Sequence, residues 1–171
     1  MTFESLTIKN IKVNKDNRGF FFESFRNKSF SKNKFVQDNI SYSKKGVIRG
    51  MHFQFKYPQT KLITIINGRI FDIVIDLRKK SKTFLNVFTF DLNSKETNQL
   101  YVPRGFAHGF QCISKEAIIY YKTDNYYAPN DEYGINPLDS LIKDKWPIKK
   151  KIINKKDKKL PNILKLNKFF N

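Results

Sequence analysis

Apolar and polar residues alternate along much of this chain with a period of two, which is the pattern of strands rather than helices. Phe71, Ile73, Ile75 and Leu77 interleave with Asp72, Val74, Asp76 and Arg78, as in a half-buried strand. Leu62 to Ile66 reads as a second strand, and the Asn67-Gly68 pair between the two is a strong short-range hairpin signal. Phe88, Phe90 and Leu92 alternate with Thr89 and Asp91, and Ile113 and the run from Ala117 to Lys122 continue the series. Gly50, Gly105 and Gly109 punctuate these runs, and Pro103 breaks one. Helical patterning is sparse: Ser24 to Asn33 and Pro137 to Lys145 are candidates for a short helix or turn. Many short strands with tight turns predict an all-β fold, and a double-sheet jelly roll with short flanking helices suits one domain of 171 residues. From Ile148 to Asn171 the composition turns to Lys and Asn. This stretch reads as a partly ordered tail in which Leu160, Ile163, Leu164 and Leu166 have the spacing to pack as a small helix on the barrel.

Charge complicates a purely structural reading. Lys and Arg number 33 against 15 Asp and Glu, a formal net charge of +18, which first suggests a polyanionic partner such as nucleic acid. Only six of these bases are Arg, at 18, 26, 49, 69, 78 and 104; the rest are Lys scattered among Asn, Ile and Phe, a mixture that an AT-rich coding bias also produces. Such a field would equally draw in a diphosphate-bearing substrate. The expectation is therefore no nucleic-acid partner, with a polyanion-binding β-barrel as the non-enzymatic alternative. The single cysteine, Cys112, excludes an internal disulfide and sits in a strand context that marks a buried thiol. No apolar run approaches a membrane span, and Met1 to Lys9 has no leader-like pattern, so a cytoplasmic protein without a membrane partner is expected.

The two histidines carry the candidate chemistry. They lie in Arg49-Gly50-Met51-His52-Phe53-Gln54 and in Pro103-Arg104-Gly105-Phe106-Ala107-His108-Gly109-Phe110. A lone His beside aromatics is ordinarily a packed residue, but these have polar clusters around them. Two His and one Cys are too few soft ligands for a transition-metal site, so no metal and no cofactor are expected. No nucleophile elbow, phosphate-binding loop or dinucleotide fingerprint is present. General acid–base chemistry remains. Proton abstraction beside a carbonyl needs a base titrating near neutrality, an acid on the opposite face and a cation for the enolate oxygen. His52, Tyr121 and Lys61 supply these residue types. Arg49 and His52 are three apart, so a regular strand would turn them to opposite faces; if both face one pocket, Gly50 marks a bulge or bend.

The order and spacing of several segments resemble the dTDP-4-dehydrorhamnose 3,5-epimerases, metal-free members of the cupin superfamily. They are Asn17 to Ser24, Phe35 to Ser43, Gly46 to Gln54, Lys61-Leu62, Gly68 to Arg78, Val102 to Phe110, Tyr121 to Tyr127 and Trp146-Pro147. The resemblance implies a cupin-type jelly roll that epimerises C3, C5 or both in a dTDP-linked 4-keto-6-deoxy hexose. A single-carbon epimerase or a ketoisomerase on a related nucleotide sugar is the enzymatic alternative. It implies His52 as general base, Tyr121 as general acid and Lys61 beside the C4 oxygen. It places Arg18, Phe20, Glu23, Gln37, Asp38, Asn39, Arg49, His108, Tyr127, Glu132 and Lys156 about the nucleotide sugar, with Arg18 and Arg49 on the diphosphate. The family's late Ser-x-Lys-Asp segment finds its counterpart in Asn154-Lys155-Lys156-Asp157, which makes Asp157 the partner of His52. A homodimer is implied, with the Phe20 region reaching into the partner's site. Pro137-Leu138-Asp139 departs from the Trp-Asn-Asp of many rhamnose-pathway members, which bears on whether both carbons are epimerised.

Overall fold

The computed structural model describes residues 5–30, 34–96 and 98–169. Its strands are β1 (Thr7–Asn10), β2 (Val13–Asp16), β3 (Gly19–Phe22), β4 (Gln37–Lys44), β5 (Val47–Gln54), β6 (Lys61–Asn67), β7 (Arg69–Asp76), β8 (Val87–Asn93), β9 (Asn98–Val102), β10 (Phe106–Cys112), β11 (Glu116–Thr123), β12 (Glu132–Gly134) and β13 (Ile152–Ile153), followed by a one-turn helix α1 (Lys155–Lys158). Short 3-10 turns cover Asn27–Phe30, Pro129–Asp131 and Ile163–Phe169. The fold is the expected double-sheet jelly roll. One sheet runs β1-β9-β6-β11-β4 and the other β12-β5-β10-β7-β8, with β13 added in parallel beside β5. Among the described residues, the strands β2 and β3 pair only with each other.

Between the sheets lies an apolar layer from both inner faces, including Ile63, Ile119 and Leu100 from the first sheet and Ile70, Val74, Phe106 and Phe110 from the second. Each such side chain contributes about 1.5–3 kcal/mol by leaving water.

Two local expectations are corrected. Asn67-Gly68 does not close a hairpin: β6 and β7 belong to different sheets, and this pair carries the chain across the sandwich. Gly68 has φ +83° and packs so tightly that a Cβ there would lie 2.1 Å from the Glu116 carbonyl oxygen, so glycine is still required at a turn of another kind. Nor is β7 half-buried. Its inner face carries Ile70, Asp72 and Val74, while Ile73 and Ile75 on the outer face are covered by Ile142, Trp146, Ile163 and Leu166. The covering segment is clamped to β10 by Gln111, whose side chain donates to the Ile148 carbonyl at 3.0 Å and accepts from the Ile148 N–H at 2.9 Å. Leu164, at the same end of the chain, is 79% exposed. Residues 137–145 form successive turns rather than a helix, because the Asp139 carboxylate takes the Leu141 and Ile163 N–H groups and ties the segment to the C-terminal turn. Of Ser24 to Asn33, residues 31–33 lie outside the described residues, and Asn27–Phe30 forms a single 3-10 turn.

Candidate active site

The pocket opens between the sheets, and the bulge expected at Gly50 builds one wall. Along β10 and β5, His108 pairs with His52 and Phe110 with Arg49, so two steps on one strand match three on the other. Gly50 takes up the extra residue at φ +112°, where a Cβ would lie 2.6 Å from the Gly109 Cα. Arg49 and His52 consequently face the same cavity, while Ile48, Met51 and Phe53 pack behind them.

Two adjoining cavities of about 290 and 190 Å³ share His52, Lys61 and Tyr121. Gln37, Asn39, Tyr127 and Glu132 line the larger; Arg49, His108, Asn154 and Asp157 line the smaller. The side chains come from opposing walls. His52, Arg49 and His108 belong to the β5–β10 sheet, whereas Tyr121, Lys61, Gln37 and Asn39 belong to the β6–β11–β4 sheet.

His52 Nε2 lies 2.8 Å from Asp157 Oδ1. The second oxygen of Asp157 accepts the Gly50 N–H at 3.3 Å, and the Asn154 side chain caps the turn by accepting the Asp157 N–H at 2.6 Å. Burial alone would raise the Asp157 carboxyl, but the hydrogen bonds from His52 and Gly50 outweigh it and hold the group below the usual carboxylate range. An ionised carboxylate only accepts, so Nε2 carries the ring proton and the lone pair of neutral His52 resides on Nδ1.

A second pair lies beside the first: His108 Nε2 is 2.8 Å from Asp72 Oδ2. Burial pushes the Asp72 carboxyl up against the opposing pull of His108 and Lys61, and its Oδ1 has no hydrogen-bond partner among the described residues. Lys61 makes no side-chain hydrogen bond or ion pair among the described residues. Burial brings its ammonium down to about 8, opposed by the charges of Glu132 and Asp72. Burial also raises the Tyr121 phenol, with Arg49 opposing, so this hydroxyl keeps its proton at neutral pH. Tyr120 faces the other way and donates to Asp38 Oδ2 at 3.2 Å on the outer face of the sheet.

Arg49 is fixed at the rim by Ser43 Oγ at 3.0 Å and the Tyr42 carbonyl at 2.9 Å. Glu132 Oε2 accepts from the Tyr127 hydroxyl at 3.0 Å and also pairs with Lys156.

Five residues singled out in the sequence do not line these two cavities of their own chain; one is Lys156, which is largely exposed and pairs with Glu132. Arg18 pairs with Asp16 on the exposed β2–β3 hairpin, and Phe20 on the same hairpin is 65% exposed. Glu23 pairs with Arg26. Asp38 pairs with Lys122, because strand alternation turns it away from the face shared by Gln37 and Asn39. Two residues of the site were passed over in the sequence. Asp72 reads there as the polar half of an alternation, although an acid within so apolar a strand signals a buried partner. Gln54 lines the larger cavity and holds the loop beside it through the Tyr57 carbonyl at 2.8 Å and the Ala128 N–H at 2.9 Å. Among the described residues, no group of three or more His, Cys, Asp or Glu side chains could hold a metal ion. Among the described residues, no helix is long and apolar enough to cross a membrane.

The profile of the dTDP-4-dehydrorhamnose 3,5-epimerases matches residues 1–165. The chain belongs to this family. A dTDP-4-dehydrorhamnose 3,5-epimerase of Shigella flexneri is 44% identical over 152 residues, covering 85% of this chain and 84% of that protein. The crystal structure of a dTDP-4-dehydrorhamnose 3,5-epimerase from Bacillus anthracis with TDP and PPi bound superposes with a TM-score of 0.89 at 38% identity, covering 95% of this chain and 99% of that one. A dTDP-6-deoxy-D-glucose-3,5-epimerase from Legionella pneumophila, in complex with dTDP-4-keto-L-rhamnose, superposes with a TM-score of 0.88 at 36% identity, covering 95% and 90%. Like its relatives in this epimerase family, the chain is an isomerase by class. The sandwich described above is the fold of the 3,5-epimerase structures on which it superposes.

Proposed function

We propose that this protein epimerises C3 and C5 of dTDP-4-dehydro-6-deoxy-glucose, on the way to a rhamnose-type sugar. The observation that carries the reading is the facing arrangement: His52 and Tyr121 approach one cavity from opposite sheets, with Lys61 between the two cavities they share. The C4 ketone makes the neighbouring hydrogens acidic. His52 Nδ1 takes a proton from one face, and the electron pair moves onto the C4 oxygen beside the Lys61 ammonium. The Tyr121 hydroxyl then returns a proton to the opposite face, inverting the carbon. Solvent resets the imidazolium and the phenolate, so no redox partner enters the balance. Arg49 meets the diphosphate as a charge-assisted fork.

Action at both carbons is supported by the 3,5-epimerase activity for which the relatives above are named. It is also supported by the position of the departing segment: Pro137, Leu138 and Asp139 line neither cavity, the Pro137 carbonyl accepts from Trp146, and Asp139 holds the C-terminal turn. The protein would work in the cytoplasm as a homodimer. In support, the hairpin carrying Arg18, Phe20 and Phe21 pairs, among the described residues, only with itself, with Phe20 65% and Phe21 70% exposed, and Ile40 and Tyr42 are exposed on the outer face of β4. In the dimer the hairpin would bring Arg18 to the cavity of the other copy.

The test is incubation with dTDP-4-keto-6-deoxy-glucose in heavy water followed by NMR. Deuterium entering at both C3 and C5 with inversion is the expected result; exchange at one carbon alone would reassign the protein as a mono-epimerase, and no exchange would dismiss the reading.

A further inference from the structure

Beyond the pairing of His52 with Asp157, the site holds a second carboxylate near the same ring. Glu132 Oε1 stands 3.9 Å from His52 Nδ1, too far for a hydrogen bond. This is the nitrogen left with the lone pair. The placement follows from pairing: β12 runs beside β5, with Gly134 opposite His52 and Glu132 opposite Gln54. Glycine opposite the histidine leaves the neighbouring Glu132 as the side chain that reaches toward the ring. What keeps Glu132 from closing the gap lies on its other oxygen. Oε2 accepts the Tyr127 hydroxyl at 3.0 Å and pairs with Lys156, which sits on α1 immediately before Asp157.

We propose that Glu132 is a positioning residue for His52, held at a distance by Lys156 and Tyr127. A Glu132 oxygen in contact with Nδ1 would demand a proton there and occupy the lone pair that the reaction needs. Kept at 3.9 Å, it leaves Nδ1 open to the substrate. Once the ring has accepted a proton, it becomes a cation between two carboxylates, Asp157 at Nε2 and Glu132 facing Nδ1. The stand-off therefore favours the charged state of the base without blocking its neutral state. This assignment rests on the reading of His52 as the base. The other charged or titratable groups around the ring are Arg49 on the same strand, His108 and Asp72 on β10 and β7, and Lys61, Tyr121 and Tyr127. None is altered in the variants that follow except where named.

The chain has two histidines, so each ring can be titrated separately by nitrogen NMR, and His108, paired with Asp72, serves as an internal control. Glu132→Gln is nearly isosteric and should lower the His52 midpoint by about one pH unit. Lys156→Met frees Glu132 to approach Nδ1 and should raise the midpoint. In the double variant Glu132→Gln/Lys156→Met that rise should vanish, because Lys156 acts through Glu132. Tyr127→Phe changes no charge and should produce a smaller rise. The His108 midpoint should stay in place throughout. An unmoved His52 midpoint in Glu132→Gln, or a Lys156→Met rise of full size in the double variant, would overturn the proposal. These titrations are independent of turnover. If His52 were not the base, His52→Asn would leave substrate exchange intact while the titrations still behaved as described.

Discussion

The chain places two histidine–aspartate pairs on neighbouring strands, with the same 2.8 Å contact and different surroundings. The His52 ring is 27% exposed and opens on the cavity, and both oxygens of its partner Asp157 are engaged. The His108 ring is 11% exposed, and Asp72 keeps one oxygen unbonded in the core. A fully bonded carboxylate held below its usual range fixes a tautomer and so prepares a base. A buried carboxylate with an unused oxygen projects negative potential, felt by His108 and, alongside the charge of Glu132, by Lys61. In the proposed reaction the same pair of residue types would serve proton transfer on one strand and support the charge of an ammonium on the next.

The largest effect should come from removing the base. His52→Asn should cost at least about three orders of magnitude in kcat with the fold retained; activity within tenfold of wild type would remove His52 from its role. Lys61→Met should cost about two orders, the scale of one lost oxyanion partner. Because burial lowers the Lys61 ammonium to about 8, the cation is present below that pH and lost above it, so kcat/KM should fall as pH rises through about 8. Lys61→Arg, if active, should move that limb upward.

Replacing the two carboxylates separately then divides the pairs. Asp157→Asn should lower kcat about a hundredfold by permitting the wrong His52 tautomer, with the alkaline limb unmoved. Asp72→Asn should shift the alkaline limb to lower pH, because it takes away a charge that supports the Lys61 cation. The same response from both variants would erase the distinction. The smallest expected effect is that of exhaustive chelation, which should leave turnover unchanged; restoration of a dead apo-protein by a stoichiometric metal would refute acid–base chemistry.

The sandwich was legible because period-two alternation is local. What could not be read was which face of each strand is wet. The β7 alternation looks half-polar, yet the acids Asp72 and Asp76 are buried and the apolar face is covered by Trp146 and Ile163, about 70–90 residues further along. Asn67-Gly68 carried the right conformational demand but the wrong partner, since hydrogen bonding across a sandwich is set by long-range topology. Within the site, the spacing of Arg49, Gly50 and His52 was enough to require a bulge, because three residues cannot return a strand to one face without an extra one. Tyr120 and Tyr121 were indistinguishable by pattern, and resemblance alone favoured Tyr121; the register opposite Asn39 and Ile63 places it inward. Arg18 and Phe20 lie on an exposed hairpin outside the cavity of their own chain, a placement that no local pattern in the sequence announces.

The most direct test of base and acid on opposite faces separates proton loss from inversion. Substrate in heavy water is followed at C3 and C5 with His52→Asn and with Tyr121→Phe, which keeps the ring and removes only the phenolic proton. The account predicts that His52→Asn loses both exchange and inversion, whereas Tyr121→Phe goes on exchanging deuterium with retention while inverted product falls far below wild type. Equal loss of exchange and inversion in Tyr121→Phe, or the retention behaviour appearing in Tyr120→Phe instead, would contradict it.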